Sequence, residues 1–160
     1  MITDTDLQHL RRCVALAAEA VDAGDEPFGS VLVGEDGAPL AEDRNRIHTT
    51  GDGTRHPEFE LARWAAANMP VDARAKATLY TSGEHCPMCA AAHGWVGLGR
   101  IVYASSSAQL GEWWAEMGIS DSPVRRIAIE EILTGAVVEG PVPELAQEVR
   151  KLHAIRQGRL

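Results

Sequence analysis

His56 and Glu58, two positions apart, and Cys86 and Cys89, three positions apart, are the side chains of this 160-residue chain whose types and spacing suit chemistry. An imidazole and two thiolates are ligands of the softness that Zn²⁺ accepts, and a carboxylate two positions after the His stands beside such a metal without having to bind it. Three protein ligands leave a fourth position for water. A structural site would close its tetrahedron with a fourth Cys or His, and no residue stands at a spacing that obviously does so. The pattern therefore predicts an open, catalytic zinc site, with Glu58 as the group that moves protons to and from an activated water. The reading from another class is a non-catalytic, zinc-stabilised binding module. Glu58 beside an open metal position argues against it, because a purely structural site has no use for either.

The elements that must position these residues alternate between helix and strand. Leu7, Leu10, Val14, Ala17 and Val21 recur at helical spacing and predict a first helix ending near Gly24. Residues 28–33 form a short apolar run, 34–37 supply turn chemistry, and 38–45 return as the second strand of a hairpin. A Gly-rich loop over 51–54 leads into His56, and a helix follows to about residue 68. Further strands are expected at 77–81, 100–104 and 136–138, with helices at 87–97, 108–117 and 143–155. This order predicts one α/β domain over 1–160, a three-layer α/β/α arrangement around a mixed sheet of about five strands. It also sets His56 and Cys89 near the N-termini of two neighbouring helices. The positive helix ends then face the metal and favour the thiolate forms of Cys86 and Cys89.

More of the chain joins these motifs: Glu26-Pro27-Phe28-Gly29-Ser30-Val31-Leu32-Val33, Asn45 eleven residues before His56, and the run Leu79-Tyr80-Thr81-Ser82-Gly83-Glu84-His85-Cys86-Pro87-Met88-Cys89-Ala90. Together they resemble the zinc-dependent cytidine deaminase-like superfamily, whose signature is His-x-Glu followed by Pro-Cys-x-x-Cys. The resemblance runs from about Leu7 to Asp121 and is greatest to the small bacterial guanine deaminase and nucleoside deaminase branch. It implies zinc held by His56, Cys86 and Cys89, Glu58 as proton shuttle, and hydrolytic release of ammonia from an aminated ring. It also implies a homodimer. By position, Asn45 matches an Asn that hydrogen-bonds the ring, Phe28 an aromatic that lines the pocket, and Asp121 an Asp brought against the substrate. The plainer alternatives are a turn residue for Asn45, core packing for Phe28 and a helix cap before Pro123 for Asp121. Two residues depart from the signature: Pro57 stands where Ala is usual, and His85 where Pro is usual. Pro57 is acceptable if His56 opens a helix, since an early helical N–H has no intrahelical partner. His85 is either a tolerated replacement at a helix entrance or a polar contact that tunes the thiolates or the substrate.

Composition narrows the partners. A net charge of −8 lacks the basic character that contacts to many phosphates favour, so nucleic acid is not expected as substrate. Asp4 and Asp6 open the chain with no basic segment and long apolar run behind them, so neither a secretory signal nor a membrane span is expected, and a cytoplasmic location is the default. Two of the three cysteines belong to the zinc motif, and Cys13 falls in an apolar helical stripe as a small buried hydrophobe. Adjacent helix residues point about 100° apart, so only one of Trp113 and Trp114 can face the site. Trp64 and Trp95 are expected in the core, His93 as a satisfied helix histidine, and His9 and His153 at the surface. The purpose of His48 stays open. The leading substrate class is a free aminated base such as guanine, cytosine or an amino-triazine. Nucleosides, and after them a tRNA adenosine, are the alternatives.

Overall fold

The computed structural model describes residues 1–120 and 122–160; Asp121 lies outside the described residues. Thr3 opens the first helix, α1 (Asp4–Asp22), through a capping box: the Asp6 N–H donates to Thr3 Oγ1 and the Thr3 N–H donates to the Asp6 carboxylate. Strands β1 (Gly29–Val33) and β2 (Pro39–Arg44) form the expected hairpin, followed by a one-turn helix α2 (Ile47–Thr50). Then come α3 (Pro57–Asn68), α4 (Val71–Lys76), β3 (Thr78–Gly83), α5 (Pro87–Val96), β4 (Ile101–Ser105), α6 (Ser107–Glu116), α7 (Ile129–Ile132), β5 (Val138–Glu139) and α8 (Pro143–Arg156). The sheet has the order β2-β1-β3-β4-β5; β1 pairs antiparallel with β2 and β3, while β4 runs parallel to β3 and β5. The five-stranded mixed sheet with helices on both sides is the predicted architecture.

Alternation along the strands builds the two faces. Val31, Val33, Tyr80, Val102 and Ala104 pack with α1, α6 and α8, whereas Leu32 and Leu79 pack with α3 and residues of α5. The register Ser30↔Thr81 and Leu32↔Leu79 places both polar residues on the α3 side, where Ser30 Oγ donates to Thr81 Oγ1 at 2.9 Å. Gly29 permits the close approach of α1 to the sheet: a Cβ there would stand 2.4 Å from the Cys13 carbonyl oxygen and from Leu16 Cβ. Cys13 is buried, as expected.

The start of α1 is tied to the sheet by charge. Arg100, the residue before β4, donates to Asp6 at 2.7 and 3.0 Å, and Tyr80 Oη donates to the same carboxylate at 2.6 Å. The Arg100 guanidinium holds the Asp6 carboxyl well below the usual carboxylate range against the opposing effect of burial, with Tyr80 and Thr3 helping.

Three expectations are corrected. Trp95, placed in the core, is 88% exposed. Its position on α5 lies opposite Cys89, Ala90 and His93, the residues that helix buries. His9 is half-buried rather than at the surface, with its ring centroid 4.8 Å from that of Tyr80. His153 is buried, because it continues the i, i+4, i+8 stripe of Leu145 and Val149 on the inner face of α8. Its ring lies between Phe28 and Trp113, and neither ring nitrogen has a hydrogen-bond partner among the described residues.

Burial pushes the His153 pKa down to about 3. The folded state therefore keeps this ring neutral while the unfolded chain protonates it below about pH 6.5. Stability from this residue is complete above about pH 6.5 and falls as pH drops toward 3, by about 1.4 kcal/mol per pH unit within that window. The expected result is that His153→Leu flattens the decline of melting temperature between about pH 6 and pH 4. An unchanged acid slope in the variant would assign the decline to other groups. No helix of the described residues is long and apolar enough to cross a membrane.

Candidate zinc centre and substrate cleft

His56 and Cys86 are the N-cap residues of α3 and α5, and Pro57 and Pro87 follow each at the start of its helix. The parallel construction explains Pro57. At the first helical position its missing N–H costs no hydrogen bond and its fixed φ suits the helix. The two helices pack side by side on the same face of the sheet, so both positive ends converge where the thiols stand.

His56, Cys86 and Cys89 offer ligand atoms that all lie within 4.8 Å of one another. Tetrahedral zinc at about 2.3 Å from sulfur and about 2.0–2.1 Å from nitrogen sets sulfur–nitrogen edges of about 3.5–3.6 Å. The separations of His56 Nδ1 from Cys86 Sγ and Cys89 Sγ are 3.5 and 3.6 Å. The two sulfurs are 3.4 Å apart, a little inside the about 3.8 Å edge of the same tetrahedron. The donor set and its dimensions fit zinc with one position left open.

The electrostatics agree with a metal-ready pair. The Cys86 pKa is pushed down to about 4, chiefly by the hydrogen bond from Cys89 and against burial, with His56 also lowering it. The Cys89 thiol is pushed well up by Cys86 and by burial. The sulfurs thus share one proton, which a metal taking both as thiolates displaces. Burial acts to lower the His56 pKa, yet the Cys86 thiolate and the Glu58 carboxylate outweigh it and raise the value.

Glu58 is the second residue of α3, is 4% exposed, and receives a hydrogen bond from Thr81 Oγ1 at 2.7 Å on Oε1. Its Oε2 lies 3.9 Å from Cys89 Sγ. Burial raises its pKa, with the His56 charge and the Thr81 bond opposing. Beside these residues opens a cleft of about 440 Å³, lined by Phe28, Asn45, His56, Glu58 and Cys86 on one side and by Trp114 and residues 122–126 among others.

Residues 3–105 match the sequence profile of the cytidine and deoxycytidylate deaminase zinc-binding region. The chain belongs to this deaminase family. It is a zinc-dependent hydrolytic deaminase acting on the amine of a nitrogen heterocycle. Among relatives of the family, the guanine deaminase of Bacillus subtilis is 40% identical over 114 residues, which cover 71% of this chain and 70% of that protein. A probable cytosine deaminase of Schizosaccharomyces pombe is 33% identical over 112 residues, covering 68% of this chain and 65% of that protein. A tRNA-specific adenosine deaminase of Agrobacterium fabrum is 32% identical over 104 residues, 64% of this chain and 68% of that protein. The solved guanine deaminase of Nitrosomonas europaea superposes with a TM-score of 0.73 over 99% of this chain and 86% of that one; at 19% identity this is a likeness of fold.

Within the deaminase cleft, Asn45 is 1% exposed, and its Oδ1 accepts from the Ile47 N–H at 3.0 Å and the Glu26 N–H at 3.4 Å. Its Nδ2 donates to no described residue. The Asn45 backbone N–H donates to the Phe28 carbonyl at 2.9 Å, so the two are locked side by side. Phe28 lines the cleft with its ring over Gly83, where an added Cβ would come within 3.0 Å of it. Trp114 faces the cleft and Trp113 is buried, as the angle between neighbours on a helix requires. The Arg126 guanidinium lies 5.5 Å from the Trp114 ring centroid.

His85 makes no polar contact with the thiols. It is buried edge-on to His93, at 5.4 Å between centroids, with neither ring nitrogen hydrogen-bonded to a described residue. His93 bonds the Gly99 carbonyl oxygen through Nε2 at 2.8 Å and stays out of the ligand trio. Three residues of the site were not singled out from the sequence: Thr81, Glu26 and Glu84. Thr81 carried a signal, a hydroxyl at a core-facing strand position. Glu84 lines the cleft and accepts from the backbone N–H groups of Ser107 at 2.7 Å and Ile129 at 3.0 Å, joining the starts of α6 and α7. Such a bridge between distant segments has no local sequence mark.

Proposed function

We propose that the substrate is a free aminated base, guanine before cytosine or an amino-triazine, with zinc held by His56, Cys86 and Cys89 and protons moved by Glu58. The observation that carries this reading is the buried Glu58 carboxylate, 3.9 Å from a thiol of the ligand trio and in the same cleft. Held by that trio, zinc would supply a water acidified to a pKa of about 7. Glu58 takes the proton of that water and delivers it to the ring nitrogen beside the amine-bearing carbon. The water oxygen bonds to the amine-bearing carbon as this proton is passed on; Glu58 then moves the remaining proton of the new hydroxyl to the amine, the C–N bond breaks to release ammonia, and the carbon is left as a carbonyl. Thr81 occupies Oε1 of Glu58, so Oε2 is the oxygen that carries the proton.

Phe28 offers its ring as an apolar wall for a flat heterocycle. With Oδ1 engaged by two backbone N–H groups, Asn45 has only its NH₂ left, which donates to a ring acceptor. The guanine and cytosine deaminases among the relatives support a free base. A cleft of about 440 Å³ lies at the small end of ligand pockets, which span about 300–1,000 Å³. The chain bears a net charge of −8, which is unfavourable to a polynucleotide. The reading includes a cytoplasmic homodimer. Three unpaired cysteines suit a reducing compartment, and exposed Trp95 suits an apolar contact between subunits.

Ammonia release by the zinc-loaded protein, measured across guanine, adenine, cytosine, their nucleosides and amino-triazines, tests the proposal. Turnover of free rings is the expected result, with guanine foremost. Turnover of nucleosides alone would replace it with nucleoside deamination.

A further inference from the structure

Glu26 lies between α1 and β1, two residues before Phe28, and lines the cleft together with Asn45 and Glu58. No role assigned above uses it. Its Oε1 is engaged twice, by His48 Nε2 at 2.9 Å and by Arg156 Nη2 at 3.3 Å. Arg156 also donates through Nε to the Asp25 carbonyl at 3.1 Å, so the last turn of α8 braces this segment. The Glu26 backbone N–H donates to Asn45 Oδ1 at 3.4 Å, which ties the Asn45 side chain to the Glu26 backbone, and both residues line the cleft. Oε2 makes no hydrogen bond to a described residue, although the side chain is only 21% exposed.

A braced carboxylate with one open oxygen is an acceptor and nothing else, so its complement on a substrate is an N–H or an O–H. Bare ring nitrogens and carbonyls are repelled by it and fall to the Asn45 NH₂. The nitrogens flanking the amine-bearing carbon belong to the reacting edge, where Glu58 works. In a free purine or pyrimidine base the remaining donor is the ring N–H that a nucleoside replaces with its sugar. We infer that Glu26 accepts the ring N–H at the position where a nucleoside carries its sugar, and so selects the free base over the nucleoside. The inference rests on the base-deaminase reading above and names the residue that decides it. It also gives a function to His48 and Arg156, which position the carboxylate by holding its other oxygen.

The test compares wild type and Glu26→Gln on guanine against 9-methylguanine, and on cytosine against 1-methylcytosine, by kcat/KM. Glutamine keeps an oxygen for His48 and Arg156 but loses the anionic acceptor. Wild type is expected to favour the unmethylated base by about ten- to hundredfold, the range of a hydrogen bond to a charged group. Glu26→Gln is expected to abolish that preference by losing activity on the unmethylated base, while activity on the methylated base changes by less than about threefold. Bound zinc and melting temperature should be unaltered. Equal loss on both members of a pair, or a preference that survives the substitution, overturns the inference. A selective loss on guanosine or cytidine also overturns it, by assigning the carboxylate to a sugar hydroxyl. Absence of wild-type turnover on every ring, with zinc bound, refutes the base-deaminase reading itself and is distinguished from the other outcomes by the wild-type measurement alone.

Discussion

Glu58→Gln is expected to lower kcat by about 10²- to 10⁴-fold, the contribution of a positioned general acid–base. Zinc content should stay unchanged, and affinity for the base should shift by no more than about threefold. The substitution is nearly isosteric. Its amide oxygen can still accept from Thr81, which holds Oε1 at 2.7 Å in the wild type. What disappears is the ability to accept and return a proton at Oε2. Stability should not fall, because Glu58 is 4% exposed and burial already disfavours its charged form. Single-turnover ammonia release, with zinc measured on the same sample, makes the comparison. Near-normal turnover with zinc fully bound would remove Glu58 from the reaction.

Cys89→Ala is expected to reduce bound zinc from about one per chain to a small fraction and to abolish ammonia release. A chelator should do the same to the wild type, reversibly on re-addition of zinc. The substitution removes one of three donors whose sulfur–nitrogen separations, 3.5 and 3.6 Å, suit a tetrahedral ion. The loss also reaches stability. The positive ends of α3 and α5 meet at the trio, and bound metal turns the thiols there into the anions that those ends favour. A ligand present at about a thousand times its dissociation constant adds about 4 kcal/mol to the folded state. The melting temperature of the zinc-loaded wild type should therefore exceed that of Cys89→Ala, and zinc should raise the former alone. Retention of full zinc by Cys89→Ala would mean that the ligand set differs from His56, Cys86 and Cys89.

Much of the fold could be read from local pattern, because period and punctuation are local. The apolar stripe of α1, the 28–45 hairpin and the strands flanking Cys86 all fall close to their expected bounds. Helices α2 and α7, of four residues each, and α4, of six, carry no period long enough to read. The misjudged side chains were matters of helical phase. His153 falls on the stripe of Leu145 and Val149, eight and four residues before it, and is buried with them. Trp95 lies on the far side of α5 from Cys89 and His93, and its size does not bring it inside. Polarity suggested one answer for each, and position on the helix gave the other.

The kind of chemistry was legible in sequence alone. Metal ligands at a helix start must come from a short, closely spaced motif, and His56-Pro57-Glu58 with Cys86-Pro87-Met88-Cys89 writes two such starts into the chain. The sequence therefore pointed to zinc chemistry and to the two helices that carry His56, Glu58, Cys86 and Cys89. The identity of the neighbours was decided by tertiary structure. Glu26, Asn45, Glu84, Trp114 and residues 122–126 come from separate segments, and only the sheet order and the helices packed on it gather them around one cleft. Glu26 became an acceptor with one open oxygen because α8 returns from the far end of the chain to place Arg156 against the other. Reactivity is carried by residues near in sequence, whereas selectivity arises from walls that are near only in space.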